Sequence, residues 1–164
     1  MTGRILQVNI SRGGVPKRPI PEGIVTLRGV DGDDWAHPKF HGGPKQAILL
    51  IAAEAIEQLI AGGFPLSPGA LGENLTTVGL PASQLRIGQR FRAGTAVIEL
   101  TKVRVPCETL SVYGSDIQAA VYDKDVKAGD PTSPRWALAG FYAAVVAPGI
   151  VRPGDEITLL DQAV

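Results

Sequence analysis

One cysteine occurs in the 164 residues, Cys107. It closes the stretch Thr101-Lys102-Val103-Arg104-Val105-Pro106-Cys107. A thiolate at such a place can act as a nucleophile, a sulfur carrier or a soft-metal ligand. Arg104, three residues upstream, is a cation that could favour the charged form, or a solvated edge residue. The plain alternative is a packed, inert thiol, because free cysteine often behaves as a small buried hydrophobe. A second chemical cluster lies at 31–41, where Asp31, Asp33, Asp34, His37 and His41 share a segment broken by Gly32 and Pro38. Polar, titratable groups in a loop of this kind suit a site. His37 and His41 are the only histidines. Pro38 and the Gly42-Gly43 pair argue against a helix that would place them on one face. With one cysteine elsewhere, they are too few for a stand-alone zinc site. The aspartates lack the remainder of a calcium loop. No glycine pattern matches a dinucleotide or phosphate loop.

The elements that must position these residues follow from periodicity. Residues 96–103 are apolar and β-branched and predict a strand. Pro106 offers no amide to a sheet, so pairing should stop before Cys107. Strands are also predicted over 4–10, 23–30, 46–51, 141–146 and 156–160. The stretch around Pro19 and Pro21 should be extended. Short β segments are expected within 85–94, and the 68–78 stretch should pass from a glycine-punctuated loop into a strand. A helix is expected over 52–61, ended by Gly62-Gly63, with one continuous helix from Gln46 as the alternative. A second should run over 116–122, with Ser115 as its cap. Residues 124–134 look like a loop, and Pro153-Gly154-Asp155 like a turn.

Twenty glycines and thirteen prolines favour a mainly β architecture with many turns. Length and the lack of a linker suit one domain over 1–164. Sixteen basic side chains balance sixteen acidic ones, which gives no electrostatic footprint for nucleic acid or an anionic membrane. The sequence has no apolar run long enough for a membrane span and no secretion-signal pattern at Met1. Together with the lone cysteine, this fits a reducing, cytoplasmic setting.

The ordered set Gly32-Asp33-Asp34 with His41-Gly42-Gly43, then Gly72-Glu73-Asn74-Leu75, Ile87-Gly88-Gln89 and Arg104-Val105-Pro106-Cys107 resembles the MOSC domain. That family is named for the C-terminal domain of molybdenum cofactor sulfurases. Gly140-Phe141-Tyr142-Ala143 and Arg152-Pro153-Gly154-Asp155 extend the likeness, which runs from about residue 5 to about 160 and is nearest to the stand-alone bacterial members. The resemblance implies a strongly bent, β-barrel-like fold with a few helices. It implies that Cys107 matches the family's motif cysteine. That residue ligates molybdenum in relatives that reduce N-hydroxylated compounds, and is proposed to carry a persulfide in sulfurase-type relatives.

On the first use, the molybdenum cofactor (molybdopterin) would be held by Cys107, with Gly42, Gly43, Lys45, Arg28 or Arg104 as donors to its phosphate. Glu73 and Asn74 would belong to the cofactor site, Asn74 through its amide. Asp33, His37 and His41 would relay protons. The partners would be a small-molecule substrate, such as an N-hydroxylated base, and an external electron-donor protein. On the second use, the chain would be a sulfur or cofactor carrier without turnover of its own. Either way, Cys107, the His41 loop and the Asn74 loop are expected to border one pocket.

Overall fold

A computed structural model describes residues 1–34 and 42–160. Eleven strands are described: β1 Thr2–Ile10, β2 Arg18–Ile20, β3 Gly23–Thr26, β4 Gly29–Val30, β5 Ile48–Ala52, β6 Leu75–Val78, β7 Arg90–Ala93, β8 Ala96–Val103, β9 Phe141–Ala147, β10 Gly149–Val151 and β11 Glu156–Leu159. Three short helices accompany them: α1 Ala53–Ala61, α2 Ile117–Val121 and α3 Lys124–Lys127. The main sheet runs β11-β7-β8-β9-β5-β6-β1-β2, and β1 also pairs with β11. That extra pairing closes seven strands into a barrel and leaves β2 as an appendage on β1. Closure removes the exposed edges that an open sheet would offer. The chain is therefore mainly β, as the resemblance implied. Among the described strands only β5 and β6 pair in parallel, with α1 lying between them in sequence, as a parallel pair requires a crossover. β10, β3 and β4 form a separate small sheet.

β8 shows why the barrel forms. Its burial alternates along Ala96, Ile98 and Leu100, which point into the core. Those residues join Ile5, Val8, Leu50, Phe91, Phe141 and Ile157 in one apolar cluster. Each large side chain sealed there contributes roughly 1.5–3 kcal/mol. A second cluster lies outside the barrel wall, where Ala55, Ile56 and Leu59 of α1 meet Leu110, Ile117, Val121 and Tyr142. The same side chains thus anchor α1 and the segment that follows Cys107.

Several elements differ from expectation for local reasons. The 23–30 strand is a hairpin, β3 and β4, turning at Leu27-Arg28, with Gly29 at φ 119°. The helix after Cys107 is shorter than expected, and Asp116 rather than Ser115 occupies its N-cap without a side-chain bond. The 124–134 stretch contains α3, because the Asp123 carboxylate accepts from the Asp125 and Val126 amides. A 3₁₀ turn over Glu108–Tyr113 and the short strand β10 were not expected. The other strands and α1 lie within a few residues of their predicted places.

Candidate functional site

Cys107 follows the end of β8. Pairing with β9 ends at Val103, and the Arg104 amide then donates to the Gly140 carbonyl at 2.9 Å. Val105 and Pro106 carry the chain off the barrel, and Cys107 starts the 3₁₀ turn as its N-cap. The thiol is half-buried. Its sulfur lies 2.7 Å from Thr109 Oγ1, which fixes the side chain against the turn. It is neither sealed in hydrocarbon nor fully in solvent.

Arg104 is the unusual neighbour. The residue is 4% exposed, yet its Nε and Nη1 have no hydrogen-bond partner among the described residues. Buried polar groups are ordinarily bonded, and a buried guanidinium carries charge at any working pH. The third nitrogen, Nη2, approaches Gly72, where an added Cβ would stand 3.9 Å from it and 3.2 Å from Val15 Cγ1. Gly72 has φ 86°, the left-handed region that favours glycine, and an added Cβ would crowd Val15 rather than Arg104. The Arg104 side chain is hydrogen-bonded to the phenol of Tyr142, which β9 presents to the cluster outside the wall. Burial lifts the Tyr142 phenol above its ordinary 10.0; the Arg104 charge opposes that lift and negative charge on Cys107 adds to it. Arg104, Tyr142 and Cys107 therefore share one electrostatic neighbourhood.

Glu73 is the second incomplete group. It is fully buried, and its Oε1 accepts from the Gly69 amide at 2.6 Å and the Thr76 hydroxyl at 2.9 Å. Its Oε2 has no partner among the described residues. Burial raises its carboxyl above the ordinary 4.5, against the pull of those hydrogen bonds and of the Arg104 charge. The Glu73 charge in turn helps raise the Tyr113 phenol, after burial, which is the larger cause. No ion pair joins Glu73 to Arg104 among the described residues; they interact at longer range.

Asp33 and Asn74 meet, but facing inward. Asp33 Oδ1 accepts from Lys17 Nζ at 2.6 Å and from the Ser11 amide at 2.8 Å. Its Oδ2 accepts from Asn74 Nδ2 at 2.8 Å. Asn74 also donates to the Asn9 carbonyl at 3.2 Å and accepts from the Leu49 amide at 3.1 Å. Asp33 thus ties Ser11, Lys17 and Asn74 together, at the ends of β1, β2 and β6. Asn74, 3% exposed, has both amide hydrogens and its oxygen engaged inside the fold. Glu73 likewise points into the protein and touches no open surface.

The remaining expected residues spread outward. Gly42 and Gly43 take φ 85° and 88°. Lys45 is exposed, and its carbonyl accepts from the Thr101 hydroxyl, which ties this loop to β8. Arg28 is exposed at the β3–β4 turn. His37 and His41 lie outside the described residues. Of the expected pocket, the His41 corner is therefore undescribed, and the Asn74 corner is buried. A pocket of about 520 Å³ between α1 and residues 131–138 does not include Cys107. Among the described residues no cluster of three His, Cys, Asp or Glu could hold a metal ion, and no helix is long and apolar enough to cross a membrane.

Lys17, Asn9, Thr109 and Tyr142 were missed from sequence. Lys17 had a faint signal, a cation between Pro16 and Pro19 where the chain has little freedom to move away.

A closed seven-stranded barrel with a half-buried thiol where β8 leaves the wall defines the class of fold. The MOSC domain matches residues 37–158, and the chain belongs to that family. It is 32% identical over 153 residues to YflK of Bacillus subtilis (strain 168), covering 91% of this chain and 64% of YflK. It is 31% identical over 147 residues to YiiM of Escherichia coli (strain K12), covering 85% of this chain and 59% of YiiM. The chain thus spans less than two thirds of the length of these relatives. The crystal structure of Escherichia coli YiiM superposes with a TM-score of 0.70 at 26% identity, covering 99% of this chain and 71% of that one. A crystal structure of a hypothetical protein gives a TM-score of 0.72 at 27% identity, covering 99% and 70%.

Proposed function

We propose that this chain binds a molybdenum cofactor through Cys107 and reduces N-hydroxylated small molecules, such as N-hydroxylated bases, using an external electron-donor protein in the cytoplasm. One observation carries the reading. A half-buried thiol shares its electrostatic neighbourhood with a buried guanidinium that has two nitrogens without a partner among the described residues. Such nitrogens fit an anionic group brought by a ligand, and thiolate sulfur fits a soft metal. The cofactor, when bound, would supply two-electron oxygen-atom chemistry, converting R–NHOH to R–NH₂ and water.

The chain's own residues have separable tasks in this reading. Cys107 offers the sulfur ligand, and Thr109 holds it in place. Arg104 directs N–H groups at the anionic part of the cofactor. Gly42, Gly43 and Lys45 stand on the exposed loop tied to β8 and offer donors to a phosphate from outside. Arg28, at the β3–β4 turn, is a more distant cation for the same purpose. Glu73 and Asn74 hold the wall from within.

The test is elemental analysis of gently purified protein, followed by turnover of an N-hydroxylated base with a chemical reductant. About one molybdenum per chain, lost together with turnover in Cys107→Ser, is the expected result. Metal retained in Cys107→Ser would overturn it. The half-buried sulfur beside a hydroxyl also suits a second reading, in which Cys107 carries a persulfide for another protein. Intact mass would then show one additional sulfur on metal-free chain.

A further inference from the structure

The pocket between α1 and residues 131–138 is not lined by Cys107, and nothing in the proposed cofactor chemistry uses it. We propose that it is a second ligand site, for a small planar organic cation of the aryl amidine kind, with Glu54 as the counter-ion.

Its place in the fold is the first reason. β5 and β6 are parallel neighbours, so their carboxyl ends lie side by side, with Ala52 opposite Thr77. α1 leaves directly from the end of β5. In open α/β sheets, ligands bind in the crevice outside the carboxyl ends of such strands, and this pair offers the same corner. The pocket occupies it. Ala52, Glu54, Ala55 and Gln58 line one side, and residues 79–83, which follow β6, line the next. The volume, about 520 Å³, falls within the range of small-molecule sites.

The remaining wall is held rigid. Pro131 and Pro134 restrict the chain that forms it. The Trp136 indole N–H donates to the Leu85 carbonyl at 3.1 Å, and its ring meets Phe141 edge-on with centroids 5.7 Å apart. Ala137 takes φ 66°, the only non-glycine residue in the left-handed region among those described. Such a conformation persists only where the surroundings impose it. The wall is thus formed before a ligand arrives, which lowers the ordering cost of binding.

The polar groups select the ligand. Glu54 is the one charged side chain lining the pocket among the described residues. Its Oε1 accepts from the Gly79 amide at 2.7 Å, and its Oε2 has no partner among the described residues. Gln58 lies one turn further along the same face of α1, and its side-chain amide likewise has no partner among them. Ala55, Leu80 and Leu138 supply buried apolar surface. A flat ring against that surface, with charged N–H groups facing the Glu54 carboxylate and the Gln58 oxygen, matches both parts. An anionic ligand would meet Glu54 with no cation in the lining to offset it.

Benzamidine is the probe, titrated calorimetrically into the metal-free full chain at pH 7. The inference is independent of the cofactor reading, so its failure and a failed metal analysis are separate results. Wild type should bind one benzamidine per chain with a Kd of about 1 mM or below. Glu54→Gln keeps an acceptor for the Gly79 amide and should bind about 3- to 10-fold more weakly, a modest factor because Glu54 is exposed. Gln58→Lys puts a cation at an exposed helix position and should weaken binding at least as much. Cys107→Ser should bind as wild type does. Benzoate, of the same shape and opposite charge, should not bind. No binding of benzamidine by wild type would overturn the proposal, and so would benzoate bound as tightly as benzamidine. Unchanged affinity in either folded α1 variant, or loss of binding in Cys107→Ser, would place the amidine elsewhere and overturn it too. Should Glu54→Gln fail to fold, Gln58→Lys and the benzoate comparison carry the test.

Discussion

Two buried cations, Lys17 and Arg104, sit on opposite terms with their surroundings. Lys17 is 8% exposed and meets Asp33 at 2.6 Å, with the other carboxylate oxygen held by Asn74. In that cluster every charge has a partner of opposite sign or a hydrogen bond. Arg104 is 4% exposed, holds Tyr142, and keeps two nitrogens without a partner among the described residues. The carboxylate nearest to it in effect, Glu73, also keeps one oxygen unpartnered. The first cluster is complete as folded and belongs to stability. The second keeps three polar atoms unpartnered among the described residues, Arg104 Nε and Nη1 and Glu73 Oε2. Unsatisfied buried groups cost free energy, and an anionic ligand that met the Arg104 nitrogens would offset that cost, which is what the proposed cofactor site requires.

The contrast can be broken or sharpened by substitution. Lys17→Met should have the largest effect, because it strands the Asp33 carboxylate in the interior. A loss of about 3–5 kcal/mol in urea unfolding is expected. A loss below about 1 kcal/mol would show that the Asp33 contacts are not holding the ends of β1, β2 and β6 together.

Asn74→Ala comes next. It removes the acceptor for the Leu49 amide and a donor to Asp33, and should cost about 1–3 kcal/mol by the same measurement. Because Asn74 faces inward, this variant should keep its affinity for the cofactor once folded. A folded Asn74→Ala chain that no longer loads molybdenum would return Asn74 to the cofactor surface.

Glu73→Gln should act mainly through pH. Burial raises the folded-state carboxyl above its unfolded value near 4.5. A raised value means that the folded state holds the proton more tightly. The stabilisation is therefore fully present below about pH 4.5 and is lost as pH rises through the folded value. Glu73→Gln, which cannot ionise, should flatten that decline and unfold at higher urea than wild type at pH 7. A variant with the wild-type pH slope would place the raised carboxyl elsewhere.

Much of the scaffold was legible from local pattern, and much of the site was not. The 96–103 strand is found as predicted because an apolar, β-branched run ends just before a proline. The helix over 53–61 lies close to its predicted place because Gly62-Gly63 stops it. The hairpin within 23–30 was hidden because Leu27-Arg28 carries no strong turn signal, although Gly29 supplies the positive φ. α3 was hidden among polar residues whose cap, Asp123, looked like part of a loop. Cys107 was legible by its uniqueness and by the motif around it. The inward turn of Asp33, Glu73 and Asn74 was not, because burial of a polar residue depends on partners far along the chain. Asp33 finds Lys17 sixteen residues away and Asn74 forty-one away. Tyr142 lay within the Gly140-Phe141-Tyr142-Ala143 motif, yet nothing in that apolar strand singled out its phenol.

The most direct measurement is the urea unfolding of metal-free Arg104→Met beside wild type. If the Arg104 donors await a ligand, removing this charge costs folding little: a change within about 1 kcal/mol, or a gain, while molybdenum loading is lost. A destabilisation as large as that of Lys17→Met would contradict the account, because Arg104 would then be a structural partner like Lys17.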